Sequence, residues 1–151
     1  MSTWPAFASG LAGAVALTAL HETARQNVPN APRLDILGMR AIQRSARALG
    51  QQPPSGNNLR ELALVGDIIS NAAYYSLVGL GQPEDAWMRG AALGLAAGVG
   101  AVVLPGPLGL GSAPSNRATS TQAMTVGWYI LGGLAAAATY RCLTRDSRLV
   151  R

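Results

Sequence analysis

Two short polar sets interrupt the long apolar stretches of this chain, and both carry groups able to move protons or hold a cation. The first is Thr18, His21, Glu22 and Arg25, at spacings of i, i+3, i+4 and i+7. The second is Asp67, Ser70, Asn71 and Tyr74, with the same spacing. On a helix each set falls on one face, because residues three and four apart lie above one another. If the two faces meet, two carboxylates and one imidazole share a half-buried pocket suited to proton relay, cation binding or general acid-base work. The competing reading is structural. Glu22 pairs with Arg25 on its own helix, and Asp67 caps a kink at Gly66 or bonds across to His21.

Metal and cofactor chemistry find little support. There is one histidine and one cysteine, Cys142, so a thiolate cluster or a multi-histidine site cannot form within one chain, and no metal site is expected. No glycine-rich phosphate loop sits between a strand and a helix pattern, and no Gly-x-Ser-x-Gly elbow occurs. The sequence therefore names no cofactor and no catalytic residue.

The elements that carry the two polar faces are apolar blocks. The chain has 151 residues, 49% hydrophobic and 13% charged, against roughly 25% charged in soluble domains. Blocks at 4–21, 61–81, 88–111 and 122–141 are each close to the about 20 residues a membrane helix needs. The expectation is a single all-α integral membrane domain over 1–151, a bundle of about four transmembrane helices. The first block reads as a retained span and not a cleaved signal peptide, because no positive charge precedes it. Asp67 then lies roughly 9 Å inside its span, where an ionisable group is costly and is a functional candidate by default.

The third block carries Pro105 and Pro107 in its last third, so it reads as a full span, a broken one or a re-entrant hairpin. Between the first two blocks, 22–60 is a polar loop. Within it Leu34, Leu37, Gly38, Ala41, Ile42 and Leu49 recur near helical spacing, with Arg40, Arg44 and Arg47 on another face. That is a basic amphipathic helix, suited to an anionic membrane interface or to packing on a protein surface. A basic tail occupies 142–151.

The net charge of +5 comes entirely from arginine among the basic residues. Because the arginines flank apolar blocks, anionic lipid headgroups are the expected partner and nucleic acid is not. Six arginines in the first loop place it on the cytoplasmic side, and a bacterial inner membrane is the expected location. Four full spans would leave Arg141, Arg145, Arg148 and Arg151 on the far side, a conflict that a hairpin at 105–107 would remove.

Helix packing has its own signal. Gly90, Gly94 and Gly98 are spaced four apart, and Gly132, Gly133 and Ala136 echo them. Such small faces let helix backbones approach closely in lipid, within one bundle or between copies of a homo-oligomer. Three functions follow as expectations. The first is transport or ion and proton handling through the polar face of spans one and two. The second is a non-catalytic subunit of a larger membrane complex. The third is a membrane-embedded lipid-modifying enzyme using His21, Glu22 and Asp67; the balance falls against an enzyme.

Overall fold

The structure is a computed structural model that describes residues 3–149 and the side chains of 3–145; Arg151 and the side chains of Asp146 and Arg148, part of the expected basic tail, lie outside it. The described residues form helices and turns and no strand. The helices are α1 (Trp4–Asn27), α2 (Leu34–Ala48), α3 (Gly56–Tyr75), α4 (Ala86–Val103), the single turn α5 (Ala113–Asn116) and α6 (Thr119–Leu149). Two 3-10 turns, Ser76–Gly79 and Pro83–Asp85, join α3 to α4.

Helix α6 is the hub, packed between α1 and α4, with α3 laid on the other side of α1. Small residues explain how closely these backbones meet. A methyl placed on Gly94 would stand 2.5 Å from the Ile130 Cα and the Tyr129 carbonyl, and one on Gly98 would stand 2.7 Å from the Val126 Cα. Gly90 and Gly133 face each other carbonyl to Cα, and Gly132 lies against Gly13 and Leu17 of α1. Ala136 is fully buried in the same seam. The small-residue set thus lies between helices of this one chain.

Successive contacts run in opposite sequence directions, Gly90 with Gly133 and Gly98 with Val126, so α4 and α6 are antiparallel. By the same reasoning α1 is antiparallel to α3, through Gly10 with Ala72 and Glu22 with Arg60, and to α6, through Gly13 with Gly132 and His21 with Trp128. The result is an up-down-up-down bundle of α1, α3, α4 and α6. The start of α1 and the end of α6 lie at one end, and the 28–33 and 104–118 connections at the other.

Several boundaries differ from the expected ones. The third block is one continuous helix that stops at Val103, not at 111, and the chain does not double back inside it. Pro105 has no N–H to continue the ladder and disfavours helix at Leu104, so 104–111 folds as turns. The basic tail is not a separate segment either, since α6 runs on to Leu149 with no glycine or proline to stop it. Helix α1 continues past 21 to Asn27, and α3 starts at Gly56 and gives way to a 3-10 turn at Ser76.

Both ends are knitted by side chains on backbone carbonyls. Arg89, which sits near the start of α4, donates Nε–H to the Val78 carbonyl at 3.1 Å and Nη2–H to the Gln82 carbonyl at 2.7 Å. At the opposite end Thr121 donates to the Asn30 carbonyl at 2.9 Å and Arg117 to the Ala31 carbonyl at 3.1 Å. In the interior Tyr75, fully buried, donates to the Tyr129 carbonyl at 2.7 Å.

Two segments, Gly56–Gly79 and Pro83–Val103, are long and apolar enough to cross a membrane by length and composition. The two other long helices among the described residues, α1 and α6, have the length but fall short on hydropathy, so length and composition support two of the four expected spans.

Candidate functional site

The end of α1 meets the first half of α3 around a small pocket of about 80 Å³. Thr18, His21 and Glu22 of α1, Asp35 of α2, and Arg60 and Asp67 of α3 line it. His21, Glu22 and Asp67, read from two distant stretches of sequence, are therefore brought to one cavity with room for a few waters. Asp35 and Arg60 join them; Arg60 lies seven residues before Asp67 and so on the same face of α3.

The charges in this cavity are mostly spoken for. Glu22 accepts from Arg25 Nη2 at 2.5 Å and lies 3.8 Å from Arg60 Nη2. Its side chain is 36% exposed, so the Arg25 pair contributes no more than about 1 kcal/mol to stability. Asp35 accepts from Arg33 through both oxygens, at 2.9 and 2.7 Å. Burial raises the Asp35 carboxyl, but the hydrogen bonds and charge of Arg33 outweigh it and hold the group below the usual carboxylate range. Asp67 is different. Its Oδ1 accepts from Asn71 Nδ2 at 2.9 Å, and among the described residues no basic side chain comes within 4 Å of it.

His21 is buried between helices as well as facing the cavity. Its ring centroid is 5.2 Å from that of Trp128 and 5.9 Å from that of Tyr129, both on α6. Its Nε2 is buried and has no partner among the described residues. It makes no hydrogen bond to Asp67, so of the two structural roles read for Asp67, capping a kink at Gly66 or bonding across to His21, the second is not formed; the carboxylate accepts instead from Asn71, four residues on along the same helix.

A second and much larger space opens on the far side of Asp67. Helices α3 and α4 meet where Tyr74 donates to the Leu93 carbonyl at 3.0 Å, and further along they are held apart by a groove of about 650 Å³. One wall is the polar face of α3, with Asp67, Ser70, Asn71 and Tyr74. The facing wall is smooth, with Ala96, Ala97, Gly100 and Ala101 of α4. The floor is the apolar side of α2, Leu37, Gly38 and Ala41, together with Leu108 and Leu110 of the turn after α4. All four members of the second polar set thus line one groove, and Asp67 borders both spaces.

Not every polar group there is available. Ser70 bonds back to the Asp67 carbonyl at 3.1 Å, and Tyr74 is committed to α4. Among the described residues no three His, Cys, Asp or Glu side chains converge as a metal-ligand set.

No protein-family model, curated protein sequence or solved structure matches this chain.

The sequence offered no signal for the partnership between α2 and the turn at 108–110, which closes the groove. Those residues lie about seventy positions apart and meet only through the fold. The amphipathic pattern of α2 was visible, but its apolar face lies on α3, with Gly38 beside Ala63, and does not stand alone.

Proposed function

We propose that this chain is a membrane-embedded four-helix bundle that binds an amphiphilic, chain-like molecule in the groove between α3 and α4. The observation that carries the reading is the groove itself. Its volume falls within the roughly 300–1,000 Å³ usual for ligand sites, and an apolar lining with a few placed polar groups is what such sites have in common. Asp67 and Asn71 would hold the polar part of the ligand near the α3 wall, while the alanines and Gly100 of α4 give a flat surface for hydrocarbon.

The distribution of side chains supports the membrane setting. The outside carries Phe7, Val15, Leu62, Ile69, Met88 and Val99, all at least 45% exposed, while Ser9, Asn71, Thr121 and Thr125 are inside. Large apolar side chains spread over the outside suit a bundle that faces lipid, since contiguous exposed apolar patches are rare on soluble domains. With α4 about 27 Å and α3 about 30 Å long at 1.5 Å per residue, both match a hydrocarbon core of about 30 Å. Trp4 and Trp87, both at the end where α1 starts, suit an interfacial belt. The arginine-rich 22–60 end would face the cytoplasm, leaving the end of α6 on the opposite side against the charge rule.

The test is photolabelling. Full-length protein in vesicles containing a trace of phospholipid with a diazirine in its acyl chain should be labelled at α3 and α4 residues lining the groove, above all around Gly66 and Ala97. Label spread evenly over the outer faces of α1 and α6 instead would sink the reading.

A second reading, ion or proton handling at Asp67, is favoured by the cavity it shares with His21 and Glu22. It stands second because α1 and α3 close to backbone contact at Gly10 and Ala72, which leaves no room for a water-filled path along their seam. If it holds, Asp67→Asn abolishes proton or cation flux into liposomes while the protein remains folded. Flux indifferent to that substitution, or no flux at all, removes it.

A further inference from the structure

The apolar groove ends at a charged feature. Helix α2 gives Leu37 and Ala41 to the groove and presents Arg40, Arg44 and Arg47 elsewhere, where with Gly109, Leu110 and Gly111 they border a solvent-open notch of about 680 Å³. Leu110 borders both spaces, so groove and notch are separated by the thickness of one turn of chain.

The notch is built by the turn and not only by the helix. Gly109 and Gly111 have φ of +69° and +80°, a region open to glycine at no steric cost. A Cβ on Gly109 would stand 2.6 Å from Arg44 Nη1, and one on Gly111 would stand 2.7 Å from Arg40 Nη1. The bare backbone is what lets the two guanidinium groups lie against the turn. Arg40 donates from Nη1 to the Leu110 carbonyl at 2.7 Å and so fixes the turn to α2. Arg44 and Arg47 are exposed and donate no hydrogen bond within the described residues, and none of the three has a carboxylate within 4 Å there. Each guanidinium brings five donors in a fork that matches phosphate oxygens.

Three arginines without an acid on one side of a turn, and an apolar groove on the other, make an amphipathic site of matching polarity. We infer that this notch takes the phosphate of a net-anionic phospholipid whose acyl chain lies in the α3–α4 groove. The assignment rests on the groove reading above and adds the headgroup class to it. Neutralising a phosphate in this way needs no conformational change, because Arg40 already holds the turn in place.

Arg40 also serves the fold, so the test leaves it intact. Full-length protein and the Arg44→Gln/Arg47→Gln variant are photolabelled in phosphatidylcholine vesicles with trace acyl-diazirine phosphatidylglycerol or acyl-diazirine phosphatidylcholine. The expected result is groove labelling at least about tenfold stronger by phosphatidylglycerol than by phosphatidylcholine, the order expected when two arginines meet one net negative charge. In the variant the ratio should fall to about one, with phosphatidylglycerol losing more signal than phosphatidylcholine. Equal groove labelling by both lipids in the wild type overturns the headgroup assignment and leaves the groove reading standing; no groove labelling by either removes both. Equal labelling by both lipids together with inorganic phosphate binding, read by calorimetry, that disappears in the Arg44→Gln/Arg47→Gln variant would assign the notch to a soluble phosphate compound and overturn the lipid assignment.

Discussion

Replacing Gly94 with leucine should lower the thermal midpoint of the detergent-solubilised protein by about 6–12 °C. The leucine Cβ would stand 2.5 Å from the Ile130 Cα and the Tyr129 carbonyl oxygen, and both are backbone atoms of a helix that cannot yield locally. Forced overpacking costs about 1–3 kcal/mol, and α4 would have to leave α6 along the whole seam from Gly90 to Gly98, which puts the cost at the upper end. At roughly 2–4 °C per kcal/mol for a chain of this size, the midpoint falls by the stated amount. Gly127→Ala is the control, since a Cβ there meets nothing within 4 Å, and its midpoint should hold or rise slightly. A Gly94→Leu protein as stable as the wild type, but shifted to a smaller particle by light scattering, would mean that the glycine seam joins copies of the chain and not α4 to α6.

Gly100→Trp should cut acyl-chain photolabelling of the groove at least about tenfold, equivalent to about 1.4 kcal/mol of binding, with little change in thermal midpoint. Gly100 lines the groove, and a Cβ on it would be in ordinary contact with the Leu104 side chain alone, at 3.5 Å. The site therefore accepts a side chain without disturbing a helix contact. The indole would stand across the path between the α3 polar face and the alanine wall of α4. Unchanged labelling at α3 in this variant would show that the probe reaches α3 from the outer surface and not through the groove. Both glycines belong to α4, yet the Gly94 face is closed by the backbone of α6 and the Gly100 face lines the groove.

The residues of the candidate site were legible only in part. The polar faces at His21 and Glu22, and at Asp67 to Tyr74, follow from local spacing, because i, i+3, i+4 and i+7 determine a helix face whatever the helix packs against. That Asp67 has a wall in each of two spaces did not follow, since the small cavity needs α1 and the groove needs α4. Asp35 entered the cavity unannounced for the same reason, since it reaches the site from α2; Arg60, seven residues before Asp67, already shared its helix face by spacing. The expected His21 to Asp67 contact gave way to the Asn71 bond because a partner four residues away on the same helix is already in place and fixes the carboxylate.

Helix ends show the same division. Pro105 marks a stop in the sequence, yet apolar residues continue beyond it to Leu110, and hydropathy alone extended the third block to 111. The proline decided the matter through backbone chemistry, and the turn it produced became the floor of the groove and one side of the arginine notch. The charges after Tyr140 suggested a tail, but arginine and leucine are good helix formers, and with no breaker before Leu149 the helix simply continues.

What the sequence determined by itself is therefore an all-helical chain with apolar helices of membrane-spanning length, two polar faces, a basic amphipathic helix and small-residue stripes. These are properties of composition and short-range spacing. What only the tertiary structure decided is which faces meet: the glycines of α4 on α6, α1 against α3 around Asp67, and α2 with the 104–111 turn beneath a groove that no adjacent helix fills. The physical reason is that backbone approach at Gly90, Gly94 and Gly98 draws α4 onto α6 and away from α3, so one pair of helices closes because another pair is held open.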